Sequence, residues 1–223
     1  MVQHPASDHA MRASTLGRRA LLALAAALVA AGARAEVRTI PAKRVWPYLE
    51  TFARIPPQDR TRFQATYYVT TTLGAPATLT LIADGRRTTI PRGRDGRLLH
   101  SASAQELAAG QVEIDCPEKV HIFMQLEPTA RPAAEMDASE LAAAVAQAAS
   151  AVKKLAPGPL QLVAPKLKWV QFKGVLAGEV VFADSHRAAL PLTEGQPVFE
   201  PSKFPGAKGL RFPSAPSSIA IGD

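Results

Sequence analysis

Short runs along the chain alternate between apolar and polar residues. Phe63-Gln64-Ala65-Thr66-Tyr67 and Ala77-Thr78-Leu79-Thr80-Leu81 place every second side chain on one face, the period of a half-buried strand. Val112-Glu113-Ile114, Val120-His121-Ile122, Leu210-Arg211-Phe212 and Ile219-Ala220-Ile221 repeat that pattern. Leu167-Lys168-Trp169 begins the same way, but Val170 and Phe172 carry apolar character onto the other face, which predicts a bulge or a strand covered on both sides.

Two segments carry helical spacing instead. Residues 47–55 have Pro47 in the first turn, an apolar face of Tyr48, Leu49, Phe52 and Ile55, and Pro56-Pro57 as a stop. Residues 139–155 have a seam of Leu141, Val145, Ala148, Val152 and Leu155 among alanines. Asp137 and Glu140 stand at capping-box spacing, Lys153 and Lys154 suit the C-terminal dipole, and Pro157-Gly158 closes the segment. So many alanines permit close approach to a sheet or another helix. That predicts a core or inter-repeat helix ahead of a docking surface.

One nonapeptide recurs at a spacing of 100 residues. Ala83-Asp84-Gly85-Arg86-Arg87-Thr88-Thr89-Ile90-Pro91 matches Ala183-Asp184-Ser185-His186-Arg187-Ala188-Ala189-Leu190-Pro191 at Ala, Asp, Arg and Pro. A strand precedes each copy, and an acid-Gly turn follows, Asp95-Gly96 in one and Glu194-Gly195 in the other. Asp-Gly and Asp-Ser are turn formers, Pro91 and Pro191 end the outgoing strand, and Asp84 with Arg87 and Asp184 with Arg187 are expected to pair across the turns. The expected class is α+β and mostly β. Two duplicated β-sandwich-like units would be accompanied by a short N-terminal helix and a connecting Ala-rich helix; the alternative is one merged β-sheet domain. The boundaries place a leader at 1–35, the first helix-plus-β repeat at 36–132, and the connecting helix with the second β repeat at 133–223. The Pro-rich stretch from Glu127 to Pro132 separates the halves.

The leader changes where this protein is expected to work. Arg18-Arg19 precedes an apolar run of 12 residues, Ala20 to Ala31, and Ala33-Arg34-Ala35 supplies a small-x-small cleavage site. A bilayer core of about 30 Å needs about 20 helical residues, so the run is a cleavable signal and not a span. Cleavage after Ala35 yields a periplasmic or secreted protein with no transmembrane segment. The arginine pair followed by Ala20-Leu21-Leu22 resembles a twin-arginine signal, with Gly17 where Ser or Thr is usual, so both the secretory and the twin-arginine route remain open. Met11 gives an n-region of ordinary length and competes with Met1 as the start. Losing four Arg and one Asp with the leader lowers the net charge from +7 to +4. A balance so mild, on an exported chain, does not point to nucleic acid.

Candidate chemistry is sparse. The single cysteine, Cys116, cannot form an intramolecular disulfide, and Asp115 beside it works against a reactive thiolate. Only His100, His121 and His186 follow the leader, without metal spacing, so neither a metal nor a cofactor is expected. Asp184-Ser185-His186 cannot present a catalytic triad from adjacent turn positions, and Asp84-Gly85-Arg86 matches it with neither nucleophile nor base. Basic residues do gather: Arg86, Arg87, Arg92, Arg94 and Arg97 lie around one repeat, with Arg187 in the other and Lys166, Lys168 and Lys173 in a second segment. They are candidate binding residues for an anionic envelope polymer gripped by Arg forks; against that stands a solvated strand face. Exposed aromatics beside them, Tyr68 or Phe123, would add a carbohydrate-binding surface.

The leading expectation is an exported, non-enzymatic binding or accessory module of the bacterial cell envelope. The alternatives are a periplasmic hydrolase whose carboxylates, such as Asp84 or Asp115, assemble between the repeats, and a subunit of an envelope complex docking through helix 139–155 to a protein partner.

Overall fold

A computed structural model describes residues 37–155 and 165–223. The expected leader with its cleavage site, and the expected Pro157-Gly158 stop, lie outside the described residues. Among the described residues the architecture is mostly β, with three antiparallel sheets and three α-helices. In chain order the first strands are β1 (Arg38–Pro41), β2 (Phe63–Thr71), β3 (Thr78–Ala83), β4 (Arg86–Thr89), β5 (Gln111–Asp115) and β6 (Val120–Pro128). There follow β7 (Glu135–Asp137), β8 (Trp169–Lys173), β9 (Glu179–Phe182), β10 (Arg187–Ala189), β11 (Leu192–Thr193), β12 (Gln196–Phe199), β13 (Ala207–Arg211) and β14 (Ser218–Gly222). The helices are α1 (Leu49–Ala53), α2 (Ala104–Ala109) and α3 (Ala138–Leu155).

Two four-stranded sheets run β1-β5-β3-β4 and β10-β9-β13-β7, and a six-stranded sheet runs β11-β12-β8-β14-β6-β2. Read from the strand nearest the N-terminus, the two small sheets take their strands in the same order. In the large sheet β6 pairs with β2 and β14 pairs with β8, and the two pairs meet where Ile221 of β14 faces Leu126 of β6.

Alternation decides which face of the large sheet meets the core. Tyr67 and Val69 of β2, with Val120, Ile122 and Met124 of β6, pack on Leu79, Leu81, Val112 and Ile114 of the first small sheet. Val170 and Phe172 of β8 and Ile219 and Ile221 of β14 pack on Val180, Leu210 and α3. Gln64, Thr66, Tyr68, Thr70, His121, Phe123, Gln125, Glu127, Ser218, Ala220, Gln171 and Lys173 belong to neither core. Those residues lie on the opposite face of the large sheet, together with Trp169 and Val198.

Helix α3 buries Ala138, Leu141, Ala144, Val145, Ala148 and Ala151; of the expected seam, Val152 and Leu155 are only partly buried, and the small alanines turn toward the strands instead. Asp137 caps it, its Oδ1 accepting from Ser139 N at 2.7 Å and Glu140 N at 3.1 Å. Gln147 ties the helix to the first half: its Oε1 accepts from Arg62 N at 2.8 Å, and its Nε2 donates to Gln58 O at 3.2 Å. The expected helix at 47–55 shrinks to α1, because Tyr48 takes a left-handed backbone at φ 62° and is 71% exposed while Phe52 and Ile55 fill the core. Helix α2 was not expected, although Ser103 and Glu106 form a complete capping box at its start. Strand β8 is covered on both sides and not bulged, with Gln171 buried opposite Val170 and Phe172.

The matched nonapeptides fold as two different hairpins. In the first, Asp84 at φ 52° and Gly85 at φ 72° form a two-residue loop that pairs Ala83 with Arg86. Ser185 replaces Gly85 in the second, and there Ser185 alone of the turn is left-handed, at φ 67°. The loop lengthens by one residue, with Arg187 opposite Val181, because two adjacent left-handed residues are costly without glycine.

Candidate ligand-binding face

The nine-residue ladder between β2 and β6 sets Gln64 opposite Glu127, Thr66 opposite Gln125 and Tyr68 opposite Phe123, all on the face away from the cores. A third segment joins β2 at its edge. Gly96 O accepts from Val69 N at 2.9 Å and Leu98 N donates to Tyr67 O at 2.8 Å, which brings Arg97 beside Tyr68.

Glu127 is 3% exposed, and both of its carboxylate oxygens are filled. Oε1 accepts from Tyr68 OH at 2.5 Å and from Gln125 Nε2 at 2.9 Å. Oε2 accepts from Thr66 Oγ1 at 3.0 Å and from Arg97 Nη2. Gln125 relays the network onward, its Oε1 accepting from Lys173 Nζ at 2.6 Å. Tyr68 stacks on Phe123 at 5.5 Å between ring centroids and 14° between planes. The Arg97 guanidinium carbon and the Lys173 ammonium each lie 5.9 Å from the Tyr68 ring centroid, within cation–π range. A satisfied buried network of this kind holds its members in place, because any unpaired member would bear a desolvation cost of about 1–3 kcal/mol.

At the Glu127 end the face opens into a cleft of about 360 Å³ lined by Asp95, Arg97, Glu127, Arg131, Ser217 and Ser218, among others. Asp95 Oδ1 accepts from Arg97 N at 3.1 Å, so this acid is occupied in shaping its own turn.

The structure distributes the sequence-predicted basic residues instead of gathering them. Arg86 lines a separate cleft of about 460 Å³ with Asp84 and Glu106, and Arg187 lines one of about 270 Å³ with Glu179 and Arg211. The expected turn pairs do not form. Arg87 reaches across β3 to Glu113, with Nη1 2.8 Å from Oε1 and a second contact from Nη2 to Oε2, and holds that carboxyl below its usual range. Asp84 accepts instead from Gln105 Nε2 at 3.0 Å. Arg187 pairs with Glu179 at 3.4 Å, and Asp184 faces His186. Long arginines reach carboxylates on neighbouring strands, whereas the left-handed Asp84 projects from its turn toward α2. Arg94 is exposed, and Arg92 sits half-buried opposite Leu98. Tyr68 is 5% exposed and belongs to the network; Phe123, at 38%, is the aromatic open to solvent.

Sequence reasoning passed over Glu127 and Gln125 because Glu127 stands at the start of the Pro-rich stretch. The structure instead carries β6 through Pro128, so Glu127 and Pro128 belong to a strand. The available signal was polar Gln125 and Glu127 continuing the alternation of Val120, Ile122 and Met124. Cys116 is buried at the end of β5, and His186 stacks on Phe182 at 4.1 Å. Among the described residues no group of three or more His, Cys, Asp or Glu could hold a metal ion, and no helix is long and apolar enough to cross a membrane.

Burial pushes the Tyr67 phenol up to about 12, and burial together with the hydrogen bond to Glu127 pushes Tyr68 up to about 12. A free phenol ionises near pH 10, so the folded state holds these protons more tightly than the unfolded chain does. Their contribution to stability is therefore complete below pH 10 and is lost as pH rises to about 12. Urea midpoints at intervals from pH 8 to pH 12 should fall above pH 10, with a shallower fall in Tyr68→Phe. An identical slope in the variant would remove Tyr68 from the titration.

No family model matches the chain, and neither curated proteins nor solved structures provide a match.

Proposed function

We propose that the chain is an exported, non-enzymatic binding module of the bacterial cell envelope, built from two duplicated β-sandwich-like units that share the six-stranded sheet. The recurrent nonapeptide and the common strand order of the two small sheets support the duplication. The leader supports export. The observation that carries the binding reading is the network around Glu127: a pre-organised set of charged and aromatic groups on a sheet face that neither core uses.

A hydrolase reading draws on one observation, that Asp95 and Glu127 line the same cleft. Glu127 has four donors on its two oxygens, and Asp95 is bound to its own loop, so neither is disposed to move a proton. Docking through residues 139–155 is weakened by the burial of that helix's apolar seam.

Co-sedimentation of the purified chain with isolated envelope fractions tests the reading. Pelleting at low salt that declines at high salt is expected. Absence of pelleting under both conditions would overturn it. Hydrolysis of an envelope polymer that disappears in Asp95→Asn would replace it with the hydrolase.

A further inference from the structure

Resting on that reading, we infer that the exposed part of the non-core face of the six-stranded sheet, around Phe123, His121, Thr70 and the half-buried Lys173, binds an acidic polysaccharide, with a sugar carboxylate on Lys173 and a pyranose ring on Phe123. The charges on this face do not cancel. Arg97 is neutralised by Glu127, but among the described residues Lys173 has only neutral partners, the Gln125 amide oxygen at 2.6 Å and the Tyr68 ring at 5.9 Å. Lys173 is half-buried at the C-terminal end of β8, the third of the six strands and the neighbour of β14. A partly desolvated cation lacking a counterion is a place where an anion gains a strong, charge-assisted contact. His121, exposed on the same face beyond Phe123, adds a donor at the far end.

The aromatic platform and the backbone define the rest of the ligand. Phe123 is 38% exposed, and its stacking on Tyr68 fixes the plane of its ring, which suits the flat apolar face of a pyranose. The exposed polar side chains beside it, Thr70 and His121, offer hydroxyl and imidazole partners of the kind hydroxyl-rich ligands use. A peptide adding as a strand is disfavoured because β6 has neighbours on both sides, β2 and β14. From Glu127 to His121 the strand runs about 20 Å at about 3.3 Å per residue, room for several linked sugars.

The test is isothermal titration of the full chain with a tetra-galacturonate, a neutral galacto-oligosaccharide of equal length, and vesicles of anionic phospholipid. The galacturonate should bind, and the neutral sugar should bind much more weakly. Lys173→Gln and Phe123→Ala should each lower galacturonate affinity about ten-fold, the scale of one charge-assisted hydrogen bond or one aromatic contact. Lys173→Arg should retain most of it, and Arg86→Ser, in a different cleft, should leave it unchanged. Far-UV circular dichroism and urea midpoints matching those of the parent chain would show that the variants fold. Equal binding of the neutral sugar, binding to vesicles alone, no binding, or an unchanged affinity in folded Lys173→Gln would each overturn the inference. Failure here is separable from failure of the envelope reading. If the parent and Lys173→Gln pellet equally with envelope fractions, this site is wrong and the module stands; if the parent does not pellet, the module itself falls.

Discussion

Replacing Glu127 with Leu should destabilise the protein by about 3 kcal/mol, the low end of the range for breaking a buried ion pair, measured as a lower urea midpoint. The substitution removes an acceptor from four donors at once: Tyr68, Gln125, Thr66 and Arg97. Tyr68 and Thr66 are buried and cannot turn to bulk water, so their hydroxyl protons are left without an acceptor, although the Tyr68 oxygen keeps its contact from Arg97 Nη2 at 3.5 Å. The Arg97 side chain is 33% exposed and recovers part of its hydration, which keeps the cost from rising further. Arg97→Met alone leaves the carboxylate buried with three neutral donors and should also cost several kcal/mol. Removing both charges together should cost less than the sum of the single changes, with a coupling of at least about 1 kcal/mol. Strict additivity, with each single change below about 1 kcal/mol, would show that the pair does not stabilise the face.

Glu127 also marks the boundary of what the sequence makes legible. The alternation of β2, β3, β5, β6, β13 and β14 could be read directly, because a strand with one face on a core must separate apolar from polar residues. Helix α3 was legible from its cap, its lysines and its alanines. The alternation places Gln125 and Glu127 opposite Ile122 and Met124, but it cannot say that they are buried. That depends on Arg97, 30 positions earlier, being brought over the sheet by a loop. The basic cluster illustrates the converse. Five arginines close in sequence suggested one patch, yet Arg87 and Arg97 are each claimed by a different glutamate, Glu113 and Glu127. Lys173 looked like one lysine in a basic strand; what distinguishes it is a half-buried position among neutral partners, which is a property of the sheet. The matched nonapeptides made two hairpins legible but not their different loop lengths, which turn on Gly85 against Ser185.

The loop that carries Arg97 is itself open to test through its glycine. Gly96 has φ 88°, and a Cβ there would lie 2.4 Å from the backbone oxygen of Val69. Gly195, in the corresponding acid-Gly turn of the second half, has φ 75° and nothing within 4 Å of the same point. Alanine at Gly195 should therefore cost only the left-handed backbone, about 1–2 kcal/mol. Alanine at Gly96 bears that cost and must also push the loop off β2, breaking the bonds from Val69 N to Gly96 O and from Leu98 N to Tyr67 O. A loop displaced from the sheet edge withdraws Arg97 from Glu127 as well. The total should exceed about 3 kcal/mol, clearly more than at Gly195. Because part of that loss is the ion pair, Gly96→Ala should cost less in a Glu127→Leu background than in the parent chain. Comparable urea midpoints for Gly96→Ala and Gly195→Ala would mean that the edge segment gives way easily, and the Arg97 contact would then be too loosely held to organise the face. A large difference that shrinks once Glu127 is gone would tie the stability of this turn to the network it completes.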